Sequence, residues 1–235
     1  MVNMVNTYSN SWYELFLVED KEKLKKEIEF ITRQIPISKF KTILDVACAS
    51  GRHSKSLDAL GYDVTGIDIN ADIIKDAKRI APNVKFLELD MKHIEDLNQQ
   101  FDAVIIMWQS FGYFDEKTNN DIIRQIYSVL HKGGRLIIDI YNKSFFVKHQ
   151  GVNNFERQGQ KITETKFIKE NRLYVNIEYG IGFESDEFQW NLYTKDEIIE
   201  IAINYGFTLI GRGKNFNLDI EPDDSTPRMQ LVFEK

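Results

Sequence analysis

The stretch KTILDVACASGRHS, residues 41–54, decides how the rest of the chain is read. Ile43 to Val46 is a short apolar run of strand character, and it leads through small residues into a helix expected to begin near Gly51. A strand, a small-residue loop and a helix N-terminus present backbone N–H groups and a positive dipole end to the polar groups of a cofactor. The spacing narrows the choice of cofactor. A dinucleotide fingerprint sets its third glycine three residues after the second, whereas Ala47, Ala49 and Gly51 recur at every second residue behind Asp45. Arg52 stands where that third glycine would be needed, which disfavours a nicotinamide-dependent oxidoreductase.

Strand and helix alternate on either side of this unit. Leu24, Ile28, Ile31 and Ile35 keep helical spacing among lysines and glutamates, and this helix must stop before Pro36; the charge run Asp20 to Lys26 is its solvated face. Before it, Tyr8, Trp12, Tyr13 and Phe16 form an aromatic cluster, either a short helix on the surface or a lid over a site. Beyond the loop come a strand at Val64 to Ile67, a helix at Asp72 to Ile80, a strand at Val84 to Leu87 and a nearly continuous apolar strand at Phe101 to Met107. Ile122, Ile123, Ile126, Val129 and Leu130 line one face of a helix expected to end at Gly133 and Gly134, and Arg135 to Tyr141 is the fifth strand. This order predicts an α/β fold with a doubly wound, mostly parallel sheet and ligands at the carboxyl ends of its strands.

The pattern changes over residues 143–190. Leu173, Val175, Ile177 and Tyr179 alternate as in a half-buried strand, with Lys161 to Lys169 as its antiparallel partner across a turn near Asn171 and Phe183 to Trp190 as a third strand. Residues 143–190 are therefore expected to form an antiparallel β insertion within one domain spanning 1–235, with residues 1–36 as an N-terminal helical segment over the site. Thr194 and Glu197 have capping-box spacing, and strands at Phe207 to Arg212 and Met229 to Phe233 close the chain.

Asp45 followed by Ala47, Ala49 and Gly51 resembles the first motif of class I S-adenosylmethionine-dependent methyltransferases, an acidic residue followed by alternating small residues. Four further stretches fall in register with that family. VTGIDIN puts Asp68 at the end of the second strand, 23 residues after Asp45 (68 minus 45), with Ile69 beside it; a carboxylate there accepts the hydroxyls of a ribose. FLELDM sets Asp90 and Met91 just past the third strand, where the resemblance implies contacts with the adenine amino group and ring. FDAVIIMWQSFGYF brings Met107, Trp108 and Ser110 to the place of the transferable methyl, with Phe111 and Tyr113 in the loop beyond; ring faces attract a sulfonium and exclude water. LHKGGRLIIDI matches the family's glycine turn into its fifth strand.

The resemblance implies a seven-stranded Rossmann-like sheet, S-adenosylmethionine as donor, S-adenosylhomocysteine as product, and in-line displacement at the methyl. WQSFGYF and the inserted strands look like the branch that methylates N or O of small molecules, including the glycine and amino-sugar N-methyltransferases, in which inserted strands roof the acceptor. Tyr8 and Trp12, with Ser110 and Phe111, are then acceptor contacts, and Tyr13 and Tyr113 are candidates to orient the acceptor. His53 qualifies as a base only if it faces the pocket, a solvated first-turn residue being the plainer reading. Arg52 and Arg228 suit an anionic acceptor, against a plainer surface placement.

Composition sets the remaining bounds. A net charge of −6 gives no broad attraction for nucleic acid or an anionic membrane, and the chain lacks the family's Asn/Asp-Pro-Pro-aromatic motif of base methylation. Cys48, the single cysteine, reads as a small space-filler, and His93, His131 and His149 show no metal-ligand spacing. No segment has membrane-spanning length, and the N-terminus lacks a basic region followed by an apolar run, so a cytoplasmic protein acting on a small-molecule acceptor is expected. The rival readings are an RNA or protein methyltransferase, and a non-catalytic S-adenosylmethionine-binding module. Ala47 and Ala49 keep the latter open, because their methyl groups narrow the backbone's approach to a cofactor.

Overall fold

The computed structural model of the chain describes residues 6, 8–16, 20–180 and 184–235. Two short helices come first, α1 (Asn10–Phe16) and α2 (Lys21–Gln34), the second started by the Asp20 carboxylate, which accepts from the Lys23 N–H at 3.0 Å. The alternating region follows as β1 (Thr42–Val46), α3 (Arg52–Ala59), β2 (Asp63–Asp68), α4 (Ala71–Ile80), β3 (Lys85–Glu88), a 3-10 turn over Met91–Leu97, β4 (Phe101–Ile106), α5 (Glu116–Val129) and β5 (Leu130–Tyr141). After α6 (Lys143–Lys148) come β6 (Gly151–Arg157), β7 (Gln160–Lys169), β8 (Arg172–Tyr179) and β9 (Glu184–Asn191), then α7 (Lys195–Asn204), β10 (Thr208–Gly213) and β11 (Arg228–Glu234).

Seven strands form the main sheet in the order β10-β11-β5-β4-β1-β2-β3, all parallel neighbours except β11, which runs antiparallel to both β5 and β10. Alternate side chains of each strand point to opposite faces. Ile43, Ile105 and Ile137 pack with Ile28, Ile31, Leu57 and Ile74 of α2, α3 and α4. On the other face, Leu44, Val104, Ile106 and Ile138 pack with Ile122, Ile126 and Ile198 of α5 and α7. The chain order reverses at β1, whose neighbours are β2 and β4, so a crevice opens beyond the carboxyl ends of β1 and β4.

The region over 143–190 is a four-stranded antiparallel sheet, β6-β7-β8-β9, with the short α6 ahead of it. Its first strand was not legible in the sequence: β6 is an edge strand exposed on nearly every residue, so it has no buried face to impose an apolar alternation. The third expected strand begins outside the described residues at Phe183 and is seen from Glu184. The inner face of this sheet buries Leu173, Val175, Ile177, Phe188 and Trp190 together with Leu15 of α1 and Phe146 of α6. The expected helix end at Gly133 and Gly134 is displaced: α5 stops at Val129, and Leu130 already pairs with Phe101 as the start of β5. Of the N-terminal segment, α1 sits on the second sheet, while α2 belongs to the main core through Ile28, Phe30 and Ile31.

Candidate functional site

The crevice is a cavity of about 500 Å³. Asp45, Ala47 and Ala49 line it from the end of β1 and its loop, Asp68 and Ile69 from the end of β2, and Asp90 and Met91 from the residues after β3. Met107, Trp108, Ser110 and Tyr113 line it from the loop after β4, and Tyr8, Trp12 and Tyr13 from the N-terminal segment. His53 also reaches the wall, yet it is buried at 4 % exposure and bonded through Nε2 to Glu27 at 2.9 Å, so the solvated placement is corrected.

Gly51, Phe111 and Arg228 were expected at the site and do not line this cavity. Gly51 is the N-cap of α3 in the left-handed region (φ +74°), where a Cβ would lie 2.5 Å from the Phe86 ring; its part is to turn the chain. Phe111 is buried at 2 % exposure and packs on Tyr193 with ring centroids 5.5 Å apart. Arg228 turns inward, 3.4 Å from the Asp139 carboxylate and 3.6 Å from that of Glu27, which overturns its surface placement.

The cofactor loop is held by its own backbone and two carboxylates. The Cys48 N–H donates to the Ile67 carbonyl at 2.9 Å, and the Ala49 N–H to Asp68 Oδ2 at 2.9 Å. Asp68 Oδ1 accepts from the Asn70 N–H at 2.9 Å, so each oxygen of that carboxylate is oriented by one backbone donor. Asp45 is almost fully buried and accepts from Ser54 Oγ at 2.5 Å. Burial pushes the pKa of both Asp45 and Asp68 upward, opposed at Asp68 by the N–H donors of Asn70 and Ala49. Asp90 caps the 3-10 turn through the Lys92 N–H at 3.0 Å and pairs with Lys92 Nζ at 3.0 Å.

A buried polar network stands behind Trp108. Glu27, fully buried on α2, accepts from Trp108 Nε1 at 2.7 Å through one oxygen and meets His53 through the other. Asp139, fully buried on β5, accepts from the Trp108 backbone N–H at 3.1 Å and from Gln230 Nε2 at 2.8 Å. Trp108 and Gln109 both have left-handed backbone angles, φ +57° and +58°, and these anchors hold that strained pair at the end of β4. Burial favours the neutral form of Glu27, but the hydrogen bond and charge of His53, with Arg52 and Trp108, outweigh it and hold the carboxyl at about 2.

The opposite wall is aromatic. The Tyr8 and Tyr113 hydroxyls meet at 3.0 Å, Tyr8 lies 4.4 Å from Trp12 and 6.1 Å from Tyr13 between ring centroids, and Tyr113 packs near Trp190. Burial raises the pKa of Tyr8, Tyr13 and Tyr113, and it pushes the Cys48 thiol far up, so all four stay protonated at neutral pH. Three phenols and a thiol of this kind hydrogen-bond or fill space; none is a base.

The family described as a methyltransferase domain matches residues 43–134, from β1 to the turn inside β5. YqeM of Bacillus subtilis (strain 168), which carries the name of a methyltransferase, is 29 % identical over 210 residues, covering 82 % of this chain and 83 % of that protein. This is a class I S-adenosylmethionine-dependent methyltransferase. The methyltransferase is also 26 % identical over 151 residues to the glycine/sarcosine N-methyltransferase of Halorhodospira halochloris, covering 62 % of this chain and 56 % of that enzyme. The match thus spans little more than half of that relative. The crystal structure of the sugar N-methyltransferase KedS8 from Streptoalloteichus superposes with a TM-score of 0.74 at 18 % identity, covering 98 % of this chain and 94 % of that one, which shows a shared fold.

Two residues of this methyltransferase escaped sequence reasoning, Glu27 and Asp139. A signal existed for both: Glu27 lies three residues after Leu24 and four before Ile31, inside the apolar stripe of α2, and Asp139 interrupts the apolar run LIIDI. An ionisable side chain on a buried face needs a partner.

Proposed function

We propose that this methyltransferase transfers a methyl group to a nitrogen or oxygen of a small-molecule acceptor. The observation that carries this reading is the composition of the cavity: three carboxylates from the tips of β1, β2 and β3 on one side, and the uncharged rings of Tyr8, Trp12, Tyr13 and Tyr113 on the other. Its volume of about 500 Å³ lies in the range of small-ligand pockets. The glycine/sarcosine and sugar N-methyltransferases among the similar proteins add support for a small amine.

The residues present suit the donor. A carboxylate has about four lone-pair sites, and Asp68 has two of them taken by backbone N–H groups, which fixes its plane and leaves the others for ribose hydroxyls. Asp90 and Met91 stand at the next strand tip, where a purine amino group and ring would be met. Bound there, S-adenosylmethionine supplies an electrophilic methyl on a sulfonium, which an acceptor heteroatom takes by in-line displacement. The chain's own work is alignment, for which roughly 7 to 11 kcal/mol is available. Trp108, pinned by Glu27 and Asp139, gives a rigid ring face at the end of β4, and the Tyr8–Tyr113 pair offers hydroxyl hydrogen bonding to the acceptor. Because those phenols stay protonated, an amine acceptor would enter as the neutral base.

Calorimetry with S-adenosylmethionine and S-adenosylhomocysteine, followed by a metabolite screen with labelled donor, tests the reading. Asp68→Ala is expected to weaken binding of either nucleoside by about tenfold or more, since one partner of charge-assisted hydrogen bonds is lost. Unchanged affinity means the ribose lies elsewhere, and donor binding with no turnover on any amine or alcohol returns the non-catalytic module.

A further inference from the structure

The inner face of the second sheet carries an ion pair among its apolar residues. Glu164 and Lys166 of β7 lie opposite Ile177 and Val175 of β8, so their side chains share the face that those residues bury, and they meet each other at 2.6 Å. Two helices cover this face from its two ends. At one end Phe16 of α1 lies under the Arg157 guanidinium and the Glu14 carbonyl accepts from Gln158, beside the turn that leads into β7. At the other, Phe146 of α6 joins the same apolar cluster as Leu173, and Gln150, just after α6, accepts from the Ile168 N–H at 2.8 Å. Glu164 and Lys166 fall between the two helices, and their side chains keep 21 % and 19 % exposure while Val175 and Ile177 opposite them are buried. An ion pair so placed adds little stability over an apolar pair of the same size, which leaves its position to be explained by something it binds.

Tyr141 links the pair to the cavity. It is the half-buried last residue of β5, its ring edge-on to Trp190 at 4.9 Å between centroids, and its hydroxyl has no hydrogen-bond partner among the described residues. Burial raises its pKa and the fields of Tyr113 and Glu164 raise it further, so this phenol stays protonated within electrostatic reach of both. Tyr113 lines the cavity, and Tyr141 with the ion pair continues from it toward the gap between α1 and α6. The sheet sets the span: Tyr8 rests on Phe188, and Phe188, Val175 and Lys166 lie side by side on β9, β8 and β7, which puts Lys166 about 10 Å from the aromatic wall. We propose that Glu164, Lys166 and the Tyr141 hydroxyl hold the far end of the methyl acceptor, an end that carries a hydrogen-bond donor and a hydrogen-bond acceptor side by side. This rests on the small-molecule reading above and narrows it. A neutral pair gives a lone charge no net attraction, whereas a dipolar group exchanges one ion pair for two charge-assisted hydrogen bonds. The zwitterionic head group of an amino acid and a pair of adjacent hydroxyls share that chemistry, and a molecule the size of glycine, held at the Tyr8 and Tyr113 hydroxyls, does not span the distance.

Methyl transfer from labelled S-adenosylmethionine to L-lysine, D-glucosamine, cadaverine and ethanolamine tests this. L-Lysine sets a zwitterion, and D-glucosamine adjacent hydroxyls, apart from an amine; cadaverine offers only a lone charge there, and ethanolamine ends short of the pair. The wild type is expected to favour L-lysine or D-glucosamine in kcat/KM over both simple amines, and the one favoured tells the two end groups apart. Glu164→Gln and Lys166→Met should each raise KM for that substrate by about tenfold or more with kcat little changed, because a charge-assisted hydrogen bond is lost, and should leave the kinetics of ethanolamine and the affinity for S-adenosylhomocysteine as they were. The double variant carrying both changes, which leaves no lone charge under the sheet, should show the same loss. An equal rise in KM for all four substrates, or a fall in S-adenosylhomocysteine affinity, makes the pair a structural support and overturns the inference, as does an unchanged KM in every variant. Turnover of other amines with neither L-lysine nor D-glucosamine methylated also overturns it and leaves the small-molecule reading standing. Donor binding with no turnover on any small molecule overturns that reading instead, and the inference with it.

Discussion

Ala47 and Ala49 have backbone φ angles of +56° and +48°, in the region that L-residues enter at a cost of roughly 1–2 kcal/mol each. The loop needs these angles to bring the Ala49 N–H to Asp68, and the family's usual glycines adopt them freely. Ala49→Gly is therefore expected to leave stability unchanged or raise it, by up to about 1 kcal/mol once the greater freedom of glycine in the unfolded chain is subtracted. Urea unfolding measures this, and a clear loss of stability would show that the methyl group itself packs usefully. At Glu27 the sign is opposite. Its carboxyl is held at about 2, below its usual 4.5, so the stabilisation is complete above about pH 4.5 and is lost as pH falls toward 2. Glu27→Gln should lower stability at neutral pH by about 3–5 kcal/mol, since Arg228 loses a buried counter-charge and His53 and the Trp108 indole lose their carboxylate partner. It should also flatten the dependence of stability on pH between about 4.5 and 2; an unaltered acid limb would assign it to other carboxylates.

Among elements, α1 is decided by what it rests on. The Ser9 N–H and Oγ both donate to the Asp186 carboxylate of β9, at 3.0 and 2.7 Å, and Tyr179 of β8 donates to the same carboxylate at 2.5 Å. Asn6 exchanges two hydrogen bonds with the backbone of Gln189, and Tyr8 packs on Phe188 with centroids 4.8 Å apart. The aromatic wall of the cavity is thus carried on the second sheet. Asp186→Ala is expected to free residues 8–16 at a cost of about 1–3 kcal/mol, seen as faster limited proteolysis there and a raised KM for acceptor, with S-adenosylhomocysteine affinity largely retained. A proteolysis pattern identical to wild type would mean that ring packing alone holds α1. The aromatic cluster was visible in the sequence, but its partner lies some 180 residues away, and nothing local to Ser9 or Asp186 announces the pairing.

For the whole molecule, the last strand is a structural keystone rather than a trailing edge. β11 lies between β5 and β10, and Met229, Leu231, Val232 and Phe233 are all buried to 1 % exposure or less. Deleting residues 228–235 should abolish cooperative unfolding, because β10 then has no neighbour and β5 loses one entire ladder; near-UV circular dichroism and calorimetry would detect it, and a retained sharp transition would refute it. The alternation of strand and helix from β1 to β5, the two closing strands, and the carboxylates Asp45, Asp68 and Asp90 at successive strand tips were all determined by the sequence alone. Periodicity is a local property, and in a doubly wound sheet every parallel strand ends at the same rim. The tertiary structure alone decided that His53 and Arg228 point into a buried network, that Glu27 of α2 pins Trp108, and that α1 rides on the second sheet. Burial and charge pairing depend on residues brought together from distant parts of the chain, and no spacing along it encodes which of them meet.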